Sequence, residues 1–391
     1  MAVKTGLDVF LENPSAWTRG ERLGLLCNPA SVDSKLVHAR HRITHVLPGR
    51  LTALYSPQHG FFAEKQDNMI ESDHDTDPAT GLPVFSLYGE TRIPTPAMFD
   101  PIDTLVVDLQ DVGTRVYTFI YTLSYCMEAA HKMGKRVIVL DRPNPIGGQM
   151  EGNLLTPDCQ SFVGRYPIPM RHGLTIGELA ILFNTTFGIQ CELDVVPLQG
   201  WNRSMMFRQT GLPWVAPSPN MPTPETAMVY PGQVIWEGTQ VSEGRGTTQP
   251  FEFFGAPFIT PEVLLEQLNV ELLSGVILRP IAFEPTSNKW NGKVCKGCQI
   301  HVTDTALYQP YALSLALYQA IFQLYKDDFA YKLPPYEYEY ERLPMDLILG
   351  DIKLRQALEN QIPVSVVAKA WAADLSGYKA ETKKVFLYGD A

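Results

Sequence analysis

Thr104-Leu105-Val106-Val107-Asp108-Leu109 is an apolar run without alternation, and Arg136-Val137-Ile138-Val139-Leu140-Asp141 is a second. Between them, Tyr117 to Met133 repeats its apolar residues at helical spacing and stops at Gly134, a helix C-terminal signal. Strand, helix, strand, with both strands apolar throughout, describes a parallel pair covered on both faces. Leu23-Gly24-Leu25-Leu26-Cys27-Asn28 and Leu51-Thr52-Ala53-Leu54-Tyr55 extend the pattern upstream. The expected fold class is α/β, a Rossmann-like parallel sheet with helices on both faces.

Polar sequence gathers just after these strands: Gln58-His59-Gly60, Gln110-Asp111-Val112-Gly113 and Asp141-Arg142-Pro143-Asn144. Open parallel sheets bind ligands at the carboxyl ends of their strands, so a site is expected on that edge. From about Trp201 to Pro257 the chain is rich in Pro, Gly and aromatics, and Ala216 to Pro224 cannot be a regular helix or a central strand. Beyond Phe258, helical patterns over Pro261–Leu273 and Ala306–Tyr325 flank strand patterns over Val276–Phe283 and Val294–Val302. These predict a larger domain over 1–257, carrying most of the site, and a smaller auxiliary α+β domain over 258–391.

The totals narrow the function classes. The 391 residues are 45% hydrophobic and 19% charged, which suits a folded globular chain. A net charge of −10 argues against nucleic acid as a partner, and an anionic substrate would need a local cluster of Arg, Lys or His. No run of about 18 apolar residues predicts a membrane span. Six cysteines in so long a chain make no disulfide framework, so reduced thiols and a cytoplasmic setting are expected, with an extracytoplasmic one open if a signal was removed. The fingerprints of dinucleotide enzymes, P-loop NTPases and α/β-hydrolases are missing. Cys295-Lys296-Gly297-Cys298 lacks a second ligand pair, so no metal is expected there. No organic cofactor is expected either.

Five stretches carry chemistry. His59 to Glu64 places a carboxylate beside a histidine at a strand end, which suits acid–base work or a plain solvated loop. Asp111 either caps the helix that follows or serves the cleft, with Arg115 pointing back. The Pro- and Gly-rich turn after Asp141 can hold Asp141, Arg142 and Asn144 rigidly against a sugar. In Arg171-His172-Gly173-Leu174-Thr175, Thr175 is an N-cap with Glu178 completing a capping box, while Arg171 and His172 can meet an anion. Trp236-Glu237-Gly238-Thr239 and Ser242-Glu243-Gly244-Arg245-Gly246-Thr247 join two carboxylates and an arginine among aromatics. Glycosidases use such carboxylate pairs, and a Glu243–Arg245 pair closing a tight turn accounts for the same residues.

Gly6-Leu7-Asp8, Pro57-Gln58-His59-Gly60-Phe61, Tyr88-Gly89-Glu90, Asp108 to Arg115, Asp141 to Pro145, Arg171 to Thr175, Ser218 to Pro222, Glu237-Gly238-Thr239, Glu243 to Thr247 and Pro285 to Lys289 occur in one order along the chain. In that order they resemble the exo-β-N-acetylmuramidases, bacterial peptidoglycan-recycling glycoside hydrolases. The resemblance implies a Rossmann-like domain, an auxiliary domain and a cleft between them. It implies release of N-acetylmuramic acid from the non-reducing end of peptidoglycan fragments. One departure stands out: many members carry Glu where this chain has Gln58, and an amide cannot exchange a proton as a carboxylic acid does.

The expected catalytic residues are therefore Glu64 and Glu237, supported by Asp111 and His59. Gln58, Glu90, Asp141, Asn144 and Glu243 are expected to bind substrate, and Arg115, Arg142, His172 and Arg245 are the cations available to the lactyl carboxylate. The rival reading is a non-catalytic muropeptide- or sugar-binding protein that kept the cleft and lost the acid. A more distant rival is a transferase using an activated sugar.

Overall fold

The computed structural model describes residues 2–67 and 69–390. The parallel core is present. Strands β1 (Leu23–Cys27), β2 (Leu51–Ser56), β3 (Asp75–Thr76), β4 (Pro83–Ser86), β5 (Thr104–Asp108) and β6 (Arg136–Leu140) form a sheet with a later strand, Glu192–Val196. Two short strands come first in the chain, β7 (Glu151–Leu154) and β8 (Pro169–Arg171), so Glu192–Val196 is β9. The sheet order is β3-β4-β2-β1-β5-β6-β9, with only the β3–β4 pair antiparallel. All residues of β1, β5 and β6 are buried, which is why those strands read as unbroken apolar runs.

The helix expected over Tyr117–Met133 spans Phe119–Lys132, and Gly134 closes it with a positive φ of 61°. The capping box is present: Thr175 Oγ1 accepts from Glu178 N while Glu178 Oε2 accepts from Thr175 N. Asp111 does not cap the helix. The N-cap is Thr118, and Asp111 instead accepts from Gly113 N at 2.7 Å.

Ala216–Met221 is irregular as expected, but Pro224–Gln233 is helical and runs into a tight turn over Val234–Gly238. Pro224 stands at the helix start, where its missing N–H costs nothing. Pro231 inside it is tolerated because the helix is buried against the long helix Pro310–Leu324. Strands β10 (Phe253–Ala256), β11 (Val276–Phe283) and β12 (Cys295–Val302) form an antiparallel sheet in the order β10-β12-β11. Helices Pro344–Leu349, Ile352–Glu359 and Val364–Thr382 follow.

The last residues return to the first domain. Tyr388 donates its hydroxyl to Asp141 Oδ2 at 2.6 Å, Leu387 N donates to Glu178 Oε1, and Gly389 O accepts from Arg203 N. The Arg203 guanidinium lies 3.6 Å from the Phe386 ring centroid.

Candidate active site

The strand-end loops, the 234–248 turn and a segment after the long helix meet in one pocket. Gln58 and His59 leave the end of β2, and Tyr117, Thr118 and Phe119 open the helix that follows β5. Glu237 and Arg245 come from the 234–248 turn, and Tyr336 and Glu337 from the later segment. The turn depends on two glycines. Gly244 and Gly246 both sit at φ 77°, and a Cβ on Gly246 would fall 2.5 Å from Ser287 O.

Two buried carboxyls face different partners in this pocket. Glu237 accepts from Arg245 Nη2 at 2.7 Å and from the Tyr336 hydroxyl at 2.7 Å. Burial works against its charge, but the Arg245 charge and these hydrogen bonds outweigh that and hold its pKa below the ordinary glutamate value. Glu337 has no such cation. It accepts from Tyr88 hydroxyl at 2.6 Å and from Gln58 Nε2 at 3.0 Å. Burial dominates there, with the Glu237 charge adding to it, and the carboxyl is pushed up to about 7. Its backbone is also held at φ 46°, a region that non-glycine residues rarely occupy.

Gln58 is fixed on both ends, since its Oε1 accepts from Thr118 Oγ1 at 2.6 Å. His59 holds a left-handed φ of 78°, and its Nδ1 lies 2.8 Å from Lys65 O. That carbonyl requires the proton on Nδ1, and burial lowers the ring pKa to about 4, so His59 is neutral with Nε2 an acceptor.

The pocket's inner part holds about 30 Å³, room for a water or two. Through Glu237 and Arg245 it continues into a cleft of about 220 Å³ whose far wall carries Lys289 and Lys332. Glu243 is tied up there: its oxygens meet Arg245 Nε at 3.2 Å and Lys289 Nζ at 2.7 Å. The Glu243–Arg245 pair therefore both closes the turn and orients the arginine on Glu237.

Of the residues singled out from sequence, the fold brings Gln58, His59, Glu237, Glu243 and Arg245 together and leaves the rest elsewhere. Glu64 is exposed and turns back to accept from Phe62 N. Glu90 is exposed and lines neither pocket nor cleft. Arg115 is fully buried, and its guanidinium donates to the carbonyls of Asn153, Ile168, Ile348 and Leu349. Arg142 forms a two-point pair with Asp108 at 2.5 and 2.9 Å, and Asp141 accepts from four donors: Arg142 N, Thr175 Oγ1, Gly177 N and Tyr388 OH. Asn144 bridges Leu174 O and Ile146 N. His172 accepts Leu174 N on Nδ1, so Nε2 carries the proton facing Asp111 at 3.1 Å. Arg115, Arg142 and His172 are therefore not anion receptors in this cleft, because their donors meet acceptors within the protein: Asp108 for Arg142, Asp111 for His172, and carbonyls from both halves of the chain for Arg115. Glu337, Tyr88 and Tyr336 were missed.

Comparison with known proteins follows the same lines. The N-terminal family model of exo-β-N-acetylmuramidase NamZ matches residues 23–225 and the C-terminal one residues 228–388. The peptidoglycan β-N-acetylmuramidase NamZ of Bacillus subtilis (strain 168) is 43% identical over 387 residues, 99% of this chain and 91% of that protein. Two crystal structures of DUF1343 family proteins from Bacteroides fragilis NCTC 9343 share the fold. One has a TM-score of 0.88 at 35% identity, covering 99% of each chain. The other has 0.79 at 26% identity, covering 100% of each. With both family models matched in order over nearly its whole length, this chain belongs to the exo-β-N-acetylmuramidase NamZ family of glycosidases.

Proposed function

We propose that this protein hydrolyses the β-glycosidic bond of a non-reducing-end N-acetylmuramic acid in peptidoglycan fragments, with Glu337 as proton donor and Glu237 as the ionised partner. One observation carries the assignment. Two buried carboxyls in one pocket are pushed in opposite directions, Glu337 up to about 7 and Glu237 below its ordinary value. Carboxyls whose environments separate them in this way divide into an acid and an anion.

The inner pocket has room for water rather than a sugar ring, so the ring lies in the outer cleft and presents its reacting edge inward. Glu337 gives its proton to the glycosidic oxygen as the bond from C1 breaks. Glu237 steadies the positive charge that develops on the ring. Water adds to C1, and its proton restores the starting state of the protein. His59, neutral, is a hydrogen-bond acceptor for a substrate hydroxyl or the water. Gln58 takes no proton; its amide holds the Glu337 carboxyl in position.

The alternative of a sugar binder without turnover rested on Gln58, and the adjacent Glu337 supplies the titratable group that Gln58 lacks. The six cysteines are all free and buried, which supports a cytoplasmic setting, and no helix among the described residues is long and apolar enough to cross a membrane. For the division into domains, expected at 257, we propose a boundary nearer 226. The pairing of β10 with β12 and the limits of the two family models support it.

Glu337→Gln keeps size and most hydrogen bonding. It should lower kcat/KM on a chromogenic N-acetylmuramic acid glycoside by at least about 10²-fold, the usual scale of an acid–base group. A near-normal rate in that variant removes Glu337 from the mechanism.

A further inference from the structure

The outer cleft contains a cation that the proposed chemistry leaves unused. Its charged lining comprises Arg245, Lys289 and Lys332 against Asp67, Glu237 and Glu243. Most of these are spent on each other. Lys289 donates to Glu243 Oε2 and to the carbonyls of Trp236 and Val241, which uses its three protons. Asp67 accepts from Asn288 Nδ2 at 2.8 Å. Glu243 is held by Arg245 and Lys289, and Glu237 by Arg245 and Tyr336.

Two donors remain. Lys332 is exposed, its ammonium lies 5.4 Å from the Tyr336 ring centroid, and it forms no ion pair among the described residues. Arg245 is more than nine-tenths buried, yet its Nη1 has no hydrogen-bond partner among the described residues. A buried guanidinium nitrogen without an acceptor is costly unless something arrives to accept from it. Lys332 and Arg245 both line this cleft, together with Glu237.

We propose that Lys332 and Arg245 Nη1 form the receptor for the carboxylate of the substrate's lactyl group, and that Lys332 sets the preference for muramic over glucosamine sugars. The inference rests on the glycosidase reading above. The lactyl ether stands on C3, across part of the ring from C1. A sugar whose C1 faces Glu337 and Glu237 therefore carries its carboxylate outward along the cleft, toward its open cationic wall. A lactyl group amidated to a peptide has no carboxylate for Lys332, and a glucosamine sugar has no lactyl group.

The test uses the full chain and three chromogenic glycosides: N-acetylmuramic acid, its lactyl methyl ester and N-acetylglucosamine. Binding of free N-acetylmuramic acid and its methyl ester is measured by calorimetry alongside. The wild type should prefer the acid to the ester by at least about tenfold in kcat/KM, the scale of one charge-assisted hydrogen bond. Lys332→Met should bring that ratio close to one, and Lys332→Arg should keep most of it. Because the ratio is taken within each variant, any general change at Glu237 or Glu337 cancels. Equal use of acid and ester by the wild type, or an unchanged ratio in Lys332→Met, overturns the subsite while the glycosidase reading stands. Acid-selective, Lys332-dependent binding without turnover supports the subsite and sinks the glycosidase reading. Neither turnover nor selective binding removes both.

Discussion

Gln58→Glu places a second carboxyl where an amide nitrogen now lies 3.0 Å from Glu337 Oε1. Two unit charges about 4 Å apart at an effective dielectric of about 20 repel by about 4 kcal/mol. At about 1.4 kcal/mol per pKa unit, the second ionisation of the pair moves up by as much as about 3 units. Below that point the two carboxyls share one proton, as like charges in one site must. The Thr118 and Tyr88 hydroxyls, which now contact Gln58, remain available to an acid at that position. The basic limb of the kcat/KM–pH profile, set in the wild type by Glu337 near pH 7, should therefore move up by at least about one unit in Gln58→Glu. The double variant Gln58→Glu, Glu337→Gln carries the matter further. It moves the acid to position 58 and leaves the amide at 337, with the same hydrogen-bond contact in mirror image. It should recover at least about tenfold of the activity lost in Glu337→Gln alone, since cooperating groups are non-additive. The assay is the rate on N-acetylmuramic acid glycoside from pH 4 to about pH 10, with thermal melting at each pH to confirm folding. An unmoved basic limb in Gln58→Glu, together with no recovery in the double variant, refutes the reasoning.

In the wild type, activity should fall as pH rises through about 7, because Glu337 then loses the proton it must donate, and the acidic limb should lie below the ordinary glutamate range, where Glu237 finally protonates. Tyr88→Phe removes a donor that favours the ionised form of Glu337, so the basic limb should rise, and an unchanged or lowered limb would contradict the contact. Asp141 and Glu151 are both pushed up to about 7 by burial. The folded state thus binds more protons than the unfolded chain between about pH 4 and 7, and stability measured by denaturant titration should decline as pH rises across that window. Arg115→Met leaves four carbonyls without their donor and should cost about 3–5 kcal/mol of folding stability. Weakened sugar affinity in a chain of undiminished stability would instead restore Arg115 to the cleft.

Burial on both faces makes a strand legible, and β1, β2, β5 and β6 are read from their apolar runs for that reason. The edge strands are not: Asp75–Thr76 is exposed, and Glu192–Val196 is mostly half-buried with Glu and Asp among its five residues. Helix Pro224–Gln233 hides behind Pro231 and Gly232, which packing tolerates and local propensity does not. In the site, Glu237, Glu243 and Arg245 share one glycine-rich turn and are found together. Asp141, Arg142 and Arg115 sit in equally polar loops, but whether such a group points into a cleft or back into the protein depends on partners far along the chain. Glu337 lies in Tyr336-Glu337-Tyr338-Glu339-Tyr340-Glu341, which reads as an exposed acidic run. Only its first glutamate is buried, by contact with Gln58 and Tyr88 more than 240 residues away. The signal available was the company of carboxylates and aromatics, the same that marks Trp236–Glu243.

The return of residues 386–389 to the first domain sets the order in which that domain is completed. Asp141 and Glu178 belong to the half that leaves the ribosome first, yet they receive hydrogen bonds from Tyr388 and Leu387, 247 and 209 residues later in the chain. Domains ordinarily fold as units from the N-terminus during synthesis. Until residues 386–388 have been made and have folded back, the earlier unit has the buried Asp141 without one of its four donors and Arg203 without its ring. Cleavage just before Phe386 would consequently be felt first in the sheet that carries the strand-end loops, far from the cut itself in sequence.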